Sequence, residues 1–186
     1  MRSKLAAITL SLALVAILAS SAFAQYESSY RSKFGIGASV YNPSSYTLTR
    51  ISSNCIGPTI SYNVSFDKQD RPVNIISLGW FSMDGNRARA SFLPLAATHI
   101  KYFTNKDNSW FVGGGVSISR THYEEPDYSY TNTTKMEPGF TVMAGRQIGL
   151  YYISLRYDKV GVMKIPYTPD ADFSGLSLSV GTNFTL

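Results

Sequence analysis

Apolar and small polar residues alternate along most of the chain after residue 33. Ile56, Pro58, Ile60, Tyr62, Val64 and Phe66 share one parity, while Gly57, Thr59, Ser61, Asn63, Ser65 and Asp67 share the other. The same division sets Trp110, Val112, Gly114, Val116 and Ile118 against Phe111, Gly113, Gly115, Ser117 and Ser119. At the end of the chain, Leu176, Leu178, Val180, Thr182, Phe184 and Leu186 alternate with Ser177, Ser179, Gly181, Asn183 and Thr185. Successive side chains of a strand point to opposite faces, so these runs are strands with one greasy face and one small, polar face. No segment after Gln25 keeps a helical period for three turns.

Eight such runs are expected, at 33–41, 56–67, 73–83, 87–103, 109–119, 136–146, 151–160 and 173–186. The connections 42–55, 120–135 and 161–172 are long and rich in Tyr, Ser, Thr, Asn and Pro. Those at 68–72, 104–108 and 147–150 are short, and Asp84-Gly85-Asn86 is a hairpin signal. Consecutive strands with short turns at one end and long loops at the other make an antiparallel meander. Closed on itself, it is an all-β, eight-stranded, up-and-down transmembrane β-barrel. Eight spanning strands of about ten residues fit this chain, and sixteen do not.

The face opposite the apolar one decides between a lipid-facing and a water-facing barrel. A soluble barrel keeps its apolar side chains inside and covers its outside with charge. Here that second face is mostly Gly, Ser, Thr and Asn, and most charges fall in turns and loops. Apolar residues outside and small or polar residues inside are what a bilayer requires. Aromatics gather at strand ends: Phe66, Tyr102, Phe103, Trp110, Phe111, Tyr151 and Tyr152 beside the short turns, and Trp80, Phe81 and Phe92 toward the other end. Phe66, Trp80, Tyr102, Trp110 and Tyr151 are the expected members of two interfacial girdles.

Composition alters this picture mainly through the first residues. Arg2 and Lys4 precede an apolar stretch from Leu5 to Ala19, and Ala22-Phe23-Ala24 offers small residues for cleavage. Residues 1–24 read as a secretory signal peptide, and 25–186 as the barrel domain. Removing the two cations of the signal lowers the formal charge from +5 to +3, which gives no case for nucleic acid. The single Cys55 excludes an intrachain disulfide framework.

The segment Phe92-Leu93-Pro94-Leu95-Ala96-Ala97-Thr98-His99-Ile100-Lys101-Tyr102-Phe103 resembles the fourth strand of small bacterial outer-membrane β-barrel proteins. In that family the strand often carries a Pro after apolar residues and ends in paired aromatics. Gly113-Gly114-Gly115, the run from Gly139 to Gly145, and a strand that ends the chain extend the resemblance over residues 25–186. One departure is the final residue: Leu186 stands where such chains usually carry a terminal aromatic. The resemblance implies an outer-membrane location, contact with outer-membrane lipid, and insertion by the barrel assembly machinery.

With the apolar parity toward lipid, Arg89, His99, Lys101, Glu137, Arg156 and Asp158 are expected in the lumen. Buried charges must pair, so they are read as a structural network that fills the barrel. Catalytic signals are poor. The two histidines, His99 and His122, cannot make HExxH or three-His sites, and no phosphate or dinucleotide fingerprint occurs. No catalytic, cofactor or metal site is therefore expected. The leading expectation is a monomeric, non-enzymatic barrel with a role in membrane integrity or in surface recognition. Recognition would fall to loops 42–55 and 120–135, through Tyr123, Tyr128 and Tyr130, toward a protein or glycan. Two alternatives stay open: a lipid A-modifying enzyme using His122 with Ser119, Thr121 and Glu124, and a soluble exported barrel for a small apolar ligand.

Overall fold

The structure, a computed structural model, describes residues 32–104, 108–125, 131–165 and 169–185. The signal peptide and its cleavage point, Tyr128, Tyr130 and Leu186 lie outside the described residues. The strands are β1 (Phe34–Pro43), β2 (Cys55–Phe66), β3 (Pro72–Gly79), β4 (Phe81–Asp84), β5 (Arg89–Tyr102) and β6 (Asn108–Glu125). They continue with β7 (Thr131–Ile148), β8 (Tyr151–Val160), the two-residue β9 (Val162–Met163) and β10 (Ala171–Asp172), and β11 (Gly175–Phe184). A single turn of helix, α1 (Tyr46–Thr49), lies between β1 and β2.

Every neighbouring pair in the main sheet is antiparallel, and β3 pairs with β5 to close it. β4 prolongs β3 beyond a break at Trp80, so the closed wall has eight staves. The break has a local cause. The Trp80 amide bonds to the Pro58 carbonyl at 3.1 Å, and the Trp80 carbonyl occupies the space where a side chain on Gly57 would stand. Only glycine admits the kinked strand there. The β7–β8 turn uses Gly149 at φ 58°, a backbone conformation that favours glycine.

The register fixes the barrel's shape. From Ile36, the paired residues run through Thr182 and Tyr151 to Ile148 in one direction. In the other they run through Ile60, Leu78, Leu95 and Ile118 to Pro138. The two routes meet on β7 ten residues apart. Eight strands with that stagger tilt by about 40°, so each residue climbs about 2.5 Å along the axis.

The outer face carries the apolar parity expected from β2, β6 and β11. Ile56, Ile60, Tyr62, Val64, Val112, Val116, Ile118, Leu176 and Leu178 are all exposed. On β6 this face runs from Trp110 to Ile118, about 20 Å, and the next outward residue is the exposed Arg120. β6 and β7 are 18 residues each and continue well past that band. The described residues of the expected loop 120–135 are strand, 120–125 in β6 and 131–135 in β7, where Thr121, Tyr123, Thr133 and Thr134 suit extended backbone.

Candidate functional site: the sealed lumen and its loop end

The interior is built in three layers. At the loop end, Tyr41, Phe81 and Phe92 point inward from β1, β4 and β5, with ring centroids 5.1 to 6.0 Å apart. Phe173 closes over Phe92 at 6.1 Å, and the Tyr41 hydroxyl donates to the Phe173 carbonyl at 2.5 Å. Leu48 of α1, Met163, Ile165 and Ala171 complete a dry apolar core. Residues 44–54, 161–165 and 169–174 are thus folded onto the barrel mouth. Ser45 caps α1, Thr47 donates to the Pro169 and Asp170 carbonyls, and the Ser44 amide donates to the Ser174 carbonyl. Asp172 receives the Ser174 amide at 2.8 Å and the Lys159 ammonium at 3.1 Å. Burial raises the Asp172 carboxyl, but the Ser174 bonds and Lys159 outweigh it and hold the group below the usual carboxylate range.

Below that core, Arg156 reaches across the lumen from β8. Its Nε and Nη2 donate to Asp158 Oδ1 at 2.9 and 2.6 Å, and its Nη1 donates to Ser77 on β3 at 3.0 Å. β3 and β8 stand on opposite sides of the closed sheet, so this is a crossbar. The third layer leaves a cavity lined by Ser61, Ile75, Thr98, Ile100, Phe111, Tyr152 and Ser154. Tyr102 lines its turn end and is backed by Arg71, whose guanidinium lies 4.1 Å over the Tyr102 ring and bonds Asp67 at 2.6 Å and the Thr104 carbonyl at 2.7 Å. Tyr102 in turn donates to Gln147 at 2.9 Å. Burial raises the Asp67 carboxyl, yet bonds from the Arg71 side chain and from the Arg71 and Gln69 amides bring it below the ordinary range.

The six residues expected in the lumen separate into two sets. Glu137, Arg156 and Asp158 point inward; Arg156 and Asp158 pair, and Glu137 packs against Gly161, where a side chain would collide with its carboxylate. Arg89, His99 and Lys101 do not: they are exposed on the outer face of β5. The expectation failed there because both parities of β5 carry apolar residues. Phe92, Pro94, Ala96 and Ile100 turn inward, and Leu93, Leu95 and Ala97 turn outward. Phe92 is claimed by the loop-end core, which sets the register of the whole strand. Arg89 lies beyond the apolar band, with a loose 3.7 Å contact to Asp84.

Paired aromatics at the turn end divide in the same way. Trp110 and Phe103 face out, 61% and 63% exposed, and Tyr151 shares the outward parity of Ile153. Tyr102, Phe111 and Tyr152 line the cavity, so Tyr102 belongs to its turn end and not to a girdle. Trp80 faces out at 60% exposure, and Phe66 is half-buried beyond a bulge in β2. Phe81 and Phe92, expected near the second girdle, are core residues. Arg71 and Tyr41 were not singled out in the sequence. The one hint for Arg71 was its place just before the short strand that opens with Pro72.

Strand alternation also separates the imagined His122 cluster. Ser119 and Thr121 are fully buried in the interior, whereas His122 bonds Thr134 at 2.9 Å on the outer face. No three metal-ligating side chains gather among the described residues, and Cys55 is buried.

Several solved structures share this wall. Neisserial surface protein A aligns at a TM-score of 0.52 and 16% identity, over 82% of this chain and 98% of that one. The fold is that of the small eight-stranded outer-membrane barrels. The N-terminal barrel domain of Pseudomonas aeruginosa OprF matches at 0.49 and 14% identity, over 83% and 98% of the two chains. The attachment invasion locus protein Ail of Yersinia pestis matches at 0.45 and 13%, over 81% and 95%. No family model and no curated protein matches the sequence. At these identities the likeness is one of fold.

Proposed function

We propose that this chain is a non-enzymatic barrel of the bacterial outer membrane, anchored by its apolar outer face and working through its loop end. The observation that carries the reading is the outer wall: a continuous band of large apolar side chains faces outward, while the opposite parity of β2, β6 and β11 carries mostly Gly, Ser, Thr and Asn. Exposed on water, a band holding Trp80, Phe103, Trp110, Val116 and Leu178 would far exceed the apolar patch of a soluble monomer. In a bilayer it is the required surface.

The reading of membrane integrity or surface recognition, in place of transport, is supported by a lumen crossed at several levels, with a cavity enclosed between the crossbar and the turn end. Among the described residues, 44–54, 161–165 and 169–174 pack onto the barrel mouth as a platform, with Tyr46 exposed and Arg50 beside its ring at 5.7 Å. A rigid surface of that kind suits contact with a protein or glycan at little entropic cost. The test is outer-membrane fractionation followed by electrophoresis of unboiled and boiled samples. Recovery with the outer membrane, and a mobility that changes on boiling, is expected. Recovery in the periplasmic supernatant without detergent would overturn the reading in favour of a soluble barrel.

A further inference from the structure

The turn-end rim of the outer face carries two cations that the fold does not use. Lys101 on β5 and Arg146 on β7 flank Trp110 on β6; Lys101 pairs with Val112, and Trp110 with Arg146. The ladder of a tilted barrel is not level. Straight across from β5 to β6 to β7, each step climbs about 3 Å toward the loop end, and each residue back toward the turns descends about 2.5 Å. Trp110 therefore lies about 2 Å below Lys101, and Arg146 about 1 Å above it. Tyr151, paired with Ile148, falls within about 1 Å of the same level. Lys101, Trp110 and Arg146 are all exposed, and the Arg146 guanidinium lies 5.7 Å from the Trp110 ring centroid. Among the described residues neither cation has an ion-pair partner. The acids on the outward parity of the described strands, Asp84 and Glu124, stand at the loop end.

Above this level the face is apolar through Val112, Val116 and Val142, with a hollow at Gly114 among them. A Cβ on Gly114 would meet nothing closer than the Thr141 carbonyl at 3.6 Å, whereas on Gly113 or Gly115 it would collide with the backbone of β5. Packing within the wall thus does not demand a glycine at 114, and the hollow opens outward.

Cations and aromatics at one level, below an apolar hollow, match the two ends of a lipid. The level of Trp110 and Tyr151 is where amphipathic rings sit among headgroups. Lys101 and Arg146 have Cα atoms about 12 Å apart, and their long side chains can converge on one phosphate. Arg146 offers its fork to two phosphate oxygens, and Lys101 a point charge. The described outer face has no carboxylate at this level to receive the ammonium of a zwitterionic headgroup, so the charge pattern selects an anionic one. We propose that Lys101, Trp110 and Arg146 form a headgroup site for an anionic glycerophospholipid of the turn-end leaflet, with an acyl chain lying along Val112 and Gly114. This inference rests on the membrane reading above.

Tryptophan quenching tests it. The chain has two tryptophans, so in a Trp80→Phe background the fluorescence reports Trp110 alone. The barrel is refolded into phosphatidylcholine vesicles that carry the same fraction of either brominated phosphatidylglycerol or brominated phosphatidylcholine. The apparent quenching constant is expected to be at least about threefold larger for phosphatidylglycerol. Lys101→Gln/Arg146→Gln should bring the two lipids level while the heat-dependent gel mobility is kept. Equal quenching in the parent, or a preference that survives the double substitution, overturns the site. Inorganic phosphate that abolishes the preference, where chloride at the same ionic strength does not, would assign the cations to free phosphate and overturn the lipid. Trp110 quenched by neither lipid would instead defeat the membrane reading, so the two failures are distinct.

Discussion

Replacing Arg156 with Met removes the crossbar and leaves Asp158 in place. The Asp158 side chain is 3% exposed and receives two short bonds from the guanidinium, which also holds Ser77 across the lumen. Its neighbours offer little substitute. Thr141 stands opposite Asp158 on β7, and its hydroxyl is buried without a bonding partner. Stranding a buried carboxylate costs about 3–5 kcal/mol, and one donated bond from Thr141 would return about 1 kcal/mol of it. A net loss of about 2–4 kcal/mol is expected. Urea unfolding of the barrel refolded into vesicles, followed by tryptophan fluorescence, measures it. Arg156→Met/Asp158→Leu should recover most of the loss, since neither charge then remains. If Arg156→Met costs less than about 1 kcal/mol, or the double variant is no better than the single, the pair is not a structural crossbar.

Phe92→Ala empties the centre of the loop-end core and should cost about 3–5 kcal/mol. Because Phe173 rests on that ring, limited proteolysis of the 161–174 connection should speed up as well; unchanged cleavage would show that the connection is held elsewhere. Gly57→Val drives a side chain into the Trp80 carbonyl and should destabilise by about 1–3 kcal/mol or more, read as a lower urea midpoint. A neutral result would mean that the strand break at Trp80 is not demanded by Gly57. Asp67 and Asp172 both titrate below the ordinary carboxylate value. Their stabilisation is present above about pH 4 and is lost as the pH falls through their folded values. Stability measured from pH 7 to pH 3 should fall less steeply for Asp67→Asn than for the parent; parallel curves would refute the Asp67–Arg71 pair as an acid-sensitive contact.

Alternation alone was enough to place the eight staves, their order and the lipid-like face on β2, β6 and β11, because a period of two survives any tertiary arrangement. The inward parity of Glu137, Arg156 and Asp158 was equally legible, each lying on a strand with one clearly apolar face. β5 was not, since both of its parities are apolar, and charges at Arg89, His99 and Lys101 favoured the wrong one. What decided it was Phe92, drawn into a core made with Tyr41 and Phe81 from β1 and β4 and with Phe173 from a connection far along the chain. The stacking of Arg71 on Tyr102 and the paired aromatics split between wall and cavity have the same origin. A sequence states which side chains share a face; closure of the sheet, with its ten-residue stagger, states which of them meet across the lumen. That second step depends on contacts between strands that are distant in the chain, and only the folded barrel supplies them.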